Sequence, residues 1–151
     1  MIRLIFIVII SWLTPFLSFG QSADSSHNDS IPRELTDDRI IFTRAEYMPR
    51  LYNGVAALED SLTVVLLQNS SPFQKGTFLF SLTIGKNGVV KDARRQGDLS
   101  EPLRMEAQII AALKNTTGMW SPATQNGHAV NCFKLISIKF NKRTLEVLDI
   151  R

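Results

Sequence analysis

Between positions 51 and 66 the apolar residues Leu51, Val55, Leu58, Leu62, Val65 and Leu66 recur every three to four places. That spacing predicts an amphipathic helix over residues 55–68, with Asn53 at its N-cap and Asn69-Ser-Ser-Pro72 as its stop. The period then switches to two. Phe78, Phe80, Leu82 and Ile84 alternate with Thr77, Ser81 and Thr83, broken only by Leu79, which predicts a half-buried antiparallel strand over 77–84. Asn87-Gly88 supplies a tight hairpin turn, and 89–96 forms the return strand. Val90 and Ala93 stand three apart there, so a bulge or an early twist away is expected.

A second helical stripe follows, with Leu103, Ala107, Ile110 and Ala111 inward and Ile109 and Leu113 widening it. Asp98 with Glu101 reads as its capping box, Pro102 fits its first turn, and Asn115-Thr-Thr-Gly118 ends it. Trp120-Ser-Pro-Ala123 then leads into a turn at Asn126-Gly127. The last major strand carries Val130, Cys132, Ile136, Ile138 and Phe140 on one face. Lys134 interrupts that face, which predicts an exposed near end. Trp120 and Pro122 read as structural anchors where helix meets strand, with the lining of a recognition groove as the second reading of Trp120, and Asn87, Gly88, Asn126 and Gly127 as turn formers. Residues 144–150 suggest a short final strand, and Ile40-Ile41-Phe42 a short strand or a pad against the core.

Length adds the domain plan. The 151 residues suffice for one domain. Met1-Ile-Arg3, the apolar run 4–13, Pro15 and the small residues before Gln21 have the layout of a secretory signal, cleaved after Gly20. The plan is therefore a signal peptide at 1–20, a polar leader at 21–45, a folded domain at 46–141 and a tail at 142–151. The apolar run to Phe19 is shorter than the ~20 residues that span a bilayer. Cleavage places the product in the periplasm or outside the cell. An uncleaved segment would instead anchor it in the inner membrane, the sole membrane association expected.

Charge changes little. The net charge of +3 and pI near 9.2 reflect scattered basic residues, so no nucleic-acid surface is expected. Cys132 is the one cysteine, which excludes an intramolecular disulfide and reads as a buried, inert thiol. His27 and His128 lack partners at metal-ligand or triad spacing. Gly85-Lys-Asn-Gly88 joins strand to strand and offers no helix N-terminus for a phosphate. Phe78 and Phe80 read as core, not as an RNA-stacking platform. No catalytic, metal-binding or cofactor-binding residue is expected, and the chain does not read as an enzyme.

The order strand, Asn-Gly hairpin, strand, helix, Trp-x-Pro-Ala, Asn-Gly, strand resembles the C-terminal domain of TonB. The matching pieces are 76–84, Lys86-Asn-Gly-Val-Val90, the helix around 106–113, Trp120-Ser-Pro-Ala123, Asn126-Gly127 and the strand to Phe140. Tyr52-Asn-Gly54 with Ala57-Leu58 resembles the lead-in of variants from diderm envelopes. The resemblance covers about residues 46–141. It implies an α+β fold, a small three-stranded antiparallel sheet with two helices packed on one face. It also implies an exported binding module that recognises an outer-membrane receptor or other envelope protein by adding a strand to an open edge. On this chain the edge would be 131–139, with Asn131, Phe133, Lys134, Leu135, Ser137 and Lys139 as partner-binding residues, and the same edge could pair two copies. The alternative is a short membrane-anchored energy transducer. Its leader, 21–38, reaches about 60 Å at ~3.3–3.6 Å per residue, a poor bridge between two membranes.

Overall fold

The computed structural model describes residues 33–68, 72–98, 100 and 102–151. The expected signal segment and the leader as far as residue 32 lie outside the described residues. Helix α1 (Arg33–Thr36) and strand β1 (Ile41–Phe42) come first, then the long helix α2 (Gly54–Leu67). A hairpin of β2 (Gly76–Ile84) and β3 (Val90–Gln96) leads to helix α3 (Glu106–Lys114), followed by β4 (Ala123–Gln125), β5 (His128–Phe140) and β6 (Leu145–Ile150).

The sheet corrects the expected architecture. It is not a small three-stranded antiparallel sheet but a six-stranded mixed one, ordered β1-β5-β2-β3, with β4 and β6 also paired to β5. The three expected strands are present and antiparallel. What differs is the second edge of β5, the longest strand at 13 residues. Its main-chain groups need partners along that edge as well. β4 pairs with its first residues, β1 runs parallel beside Asn131 and Cys132, and β6 covers Ile136 to Phe140. β5 is thus an interior strand, and the open edge expected at 131–139 is not there. A two-residue strand such as β1 carries no periodicity, so its pairing leaves no trace in the sequence.

Helices α2 and α3 pack on one sheet face. Leu58, Leu62 and Leu66 line the buried side of α2, against Phe80, Leu82, Ile84, Ile136, Ile138 and Phe140. The rings of Phe73 and Phe140 meet edge-on at 5.4 Å. Val55 and Val65, expected on the buried stripe, are exposed. Glu59 on α2 accepts the Val147 N–H at 2.6 Å. That contact occupies a main-chain donor of β6, a strand paired on one side only, and discourages further pairing there.

Three local expectations also change. The capping box fails: α3 begins at Glu106, behind Met105 at φ 64° with no side-chain cap, while Asp98 Oδ1 accepts the Ser100 N–H at 2.8 Å. The Asp98 carboxylate closes a local turn in place of a helix. The buried side of α3 is accordingly Ile109, Ala112 and Leu113, and Ala107 and Ala111 face outward. Asn53 precedes α2 but makes no side-chain cap.

The two Asn-Gly turns differ. At the second, Asn126 (φ 51°) and Gly127 (φ 75°) are both left-handed, as a two-residue hairpin requires. At the first, Gly88 alone is left-handed and Asn87 Oδ1 accepts the Val89 N–H at 3.2 Å. A Cβ on Gly88 would collide with the Trp120 carbonyl oxygen. The expected bulge in β3 is present, with Lys91 as the extra residue between partners Val90 and Asp92.

Candidate functional site

Even-numbered residues of β5 face the helices, and they belong to two clusters. Ile136, Ile138 and Phe140 join the large core. Val130 and Cys132 join a small one with Leu35 and Ala123, bordered by Phe42, Ala45 and Met48. Lys134 lies between them, opposite Leu82 in the register and only 7% exposed. Among the described residues no hydrogen bond or ion pair reaches its ammonium. The sequence had predicted exposure at this point. Lys134 is instead buried, because its neighbours on either side are fixed in the two clusters.

The wall over Lys134 comes from the segment before α2. Residues 47–52 run antiparallel to 119–124. Tyr47 and Thr124 exchange main-chain bonds of 3.0 and 2.9 Å, the Ser121 N–H donates to Arg50 O at 2.8 Å, and the Tyr52 N–H donates to Met119 O at 2.9 Å. The Arg50 N–H donates to Ser121 Oγ at 2.9 Å. Pro49 stands opposite Pro122 in this register, a position where neither residue could donate. The segment leading into α2 and the Trp-x-Pro-Ala stretch therefore lie side by side.

Between that wall and β6, a cavity of about 290 Å³ opens to solvent. Pro49, Leu51, Val55, Trp120 and Ile150 give it apolar walls, and Lys134 and Arg50 are its two cations. No carboxylate is among its lining residues. Its position follows from the topology: β1 ends beside Cys132, and the pairing with the β6 side begins at Leu135, whose N–H and C=O bond Arg151 at 2.6 and 2.9 Å. Trp120 is almost completely buried. Its indole N–H donates to Thr116 Oγ1 at 3.0 Å, and that hydroxyl donates to Leu113 O at 2.6 Å. Trp120 thus ties the end of α3 to the cleft.

The other expected partner-binding residues are not gathered here. Asn131 is buried, and its amide donates to the carbonyls of Asp38 (2.8 Å) and Ile40 (3.4 Å), clamping the segment before β1. Phe133, Leu135 and Ser137 are half-buried on the opposite sheet face, and Lys139 is exposed, 3.6 Å from Glu146. Alternation along a strand separates them from Lys134 by a full sheet thickness. Pro49, Arg50, Val55 and Ile150 carried no signal as site residues. The one usable sign was Lys134 breaking an otherwise apolar face.

Cys132 is fully buried, and its Sγ lies 3.8 Å from Met48 Sδ. Burial pushes its thiol up, partly offset by the nearby Lys134 charge and a backbone hydrogen bond from Phe133, which keeps it a poor nucleophile. Among the described residues no group of three or more His, Cys, Asp or Glu is placed to hold a metal ion. None of their helices is long and apolar enough to cross a membrane. Compared with family models, with curated proteins and with solved structures, the chain matches none.

Proposed function

We propose that this chain is an exported, non-enzymatic binding module of a diderm cell envelope that holds a short segment of another envelope protein, such as an outer-membrane receptor. The observation that carries the reading is the cleft at Lys134. The Lys134 side chain is largely buried, its ammonium meets the cleft, and no acid lines that cleft, so a charge-bearing partner would gain a charge-assisted contact there. Trp120 of the Trp-x-Pro-Ala stretch and Gly54 of the Tyr-Asn-Gly stretch both line the cleft. The mode differs from strand addition to β5, whose second edge is already paired with β1 and β6.

The test is photo-cross-linking in intact cells from position 52, beside the cleft, against position 64 on α2; both are exposed in the structure. A discrete adduct with one envelope protein from position 52 alone is expected. Identical patterns from both positions, or none, would end the reading. N-terminal sequencing of the same material decides export: a start at Gln21 fits a cleaved signal, and an intact Met1 would favour the anchored alternative.

A further inference from the structure

We infer that the cleft takes a carboxylate carried on an apolar group, specifically the C-terminal residue of a peptide that ends in an apolar side chain with a free α-carboxylate. This rests on the binding-module reading and names the chemistry the cleft recognises. Three observations converge. Lys134 is more than nine-tenths buried, lines the cavity and has neither a hydrogen bond nor an ion pair. Apart from Arg50, the rest of the wall is apolar, from Leu51, Val55, Trp120 and Ile150, with no acid among the lining residues. The volume, about 290 Å³, lies at the bottom of the ~300–1,000 Å³ range of small-molecule sites, so it accommodates one residue and not an extended segment.

Charge selects among anions. A lysine ammonium is a compact point charge suited to one carboxylate, whereas a phosphate brings nearly two charges and three acceptor oxygens that favour an arginine fork or several donors. Here one ammonium, on a largely buried side chain, faces apolar walls. The second cation, Arg50, is exposed, where it would meet the chain leaving the cleft. A chain end also satisfies the geometry: its charge and its last side chain enter together, and the remainder of the peptide stays in solvent.

Calorimetric titration of the full chain tests this with four probes. These are the acetylated peptide Gly-Ser-Gly-Leu with a free carboxylate, the same peptide amidated, an amidated version ending in Glu, and octanoate. The free acid should bind at least about tenfold more tightly than its amide, a gap of ~1.4 kcal/mol. Lys134→Met should remove the preference, and Lys134→Arg should retain part of it. Melting of Lys134→Met at or above the parent temperature shows that the variant is folded. Equal binding of acid and amide, no binding of either, or a preference surviving in Lys134→Met would overturn the inference. Equal or tighter binding of the Glu-amide or of octanoate would do so too, pointing to a side-chain carboxylate or a fatty acid. An adduct from position 52 without an acid preference would retain the binding module and reject the chain-end chemistry. An acid preference without an adduct would do the reverse.

Discussion

β5 crosses two cores on one face, and they are built differently. Past Lys134, Ile136, Ile138 and Phe140 lie under two helices and belong to a cluster that includes Leu58, Leu62, Leu66, Leu113 and Trp120. Before it, Val130 and Cys132 are covered by α1 and the lead-in, with Leu35 and Ala123 as the other fully packed members. The same alternating pattern thus serves a thick core and a thin one. The cation and the cleft sit at the seam, where neither cluster is thick enough to close over the strand.

Matching truncations should separate the two cores most strongly. Leu62→Ala removes a side chain in the middle of the thick one and should cost about 2–5 kcal/mol in chemical denaturation. Leu35→Ala, in the four-residue α1, should cost about 2 kcal/mol or less, with lost hydrogen-exchange protection confined to residues 33–48. Equal global costs would show that the two clusters behave as one.

The paired turns give the next contrast. Gly127→Ala keeps open space around its new methyl and should cost about 1–2 kcal/mol for the left-handed backbone alone. Gly88→Ala adds a collision with the Trp120 carbonyl and should cost more than Gly127→Ala by about 1–3 kcal/mol. Thermal melts of both variants check the difference. If they melt together, the approach of the first hairpin to Trp120 is not a structural constraint.

At the seam itself the expected sign reverses. Lys134→Met exchanges a largely buried side chain, whose ammonium meets the cleft without an ion-pair partner, for an apolar chain of similar length and should stabilise the fold by up to about 1 kcal/mol, read as a raised midpoint. A lowered midpoint would mean that Lys134 supports the fold, and its retention would then need no ligand.

The smallest effect concerns the lead-in and the surface loop at Asp98. The Arg39 side chain bonded to Asp37 holds that carboxyl below the ordinary 3.8, Lys86 does the same for Asp38, and Ser100 for Asp98. A folded-state value below the unfolded one contributes stability above about pH 4 that is lost as the pH falls further. All three carboxylates are at the surface, so screening keeps the effect small. A melting midpoint unchanged between pH 5 and pH 3 would show these pairs to be inert.

Most of the main elements were legible because they repeat. The stripe Leu58, Leu62, Leu66 and the alternation from Phe78 to Ile84 are long enough to establish their period, and Asn126-Gly127 names its turn outright. α3 was harder: Asp98 and Glu101 have the spacing of a cap, yet that carboxylate is taken by Ser100. Of the candidate site, Lys134 alone left a mark, and its surroundings did not. Arg50 and Ile150 reach the cleft from places about a hundred residues apart, a proximity that no local pattern encodes.

By itself the sequence determined the α2, β2, β3 and β5 elements, the positions of the turns and the buried thiol, since each depends on neighbours within one or two turns of chain. Only the tertiary structure decided that β5 lies inside the sheet, that Lys134 is buried and not exposed, and that a cleft opens beside it. The physical reason is that a strand's edges are satisfied by whichever segments the fold brings alongside. The short β1 and the returning β6 supply those partners from opposite ends of the domain.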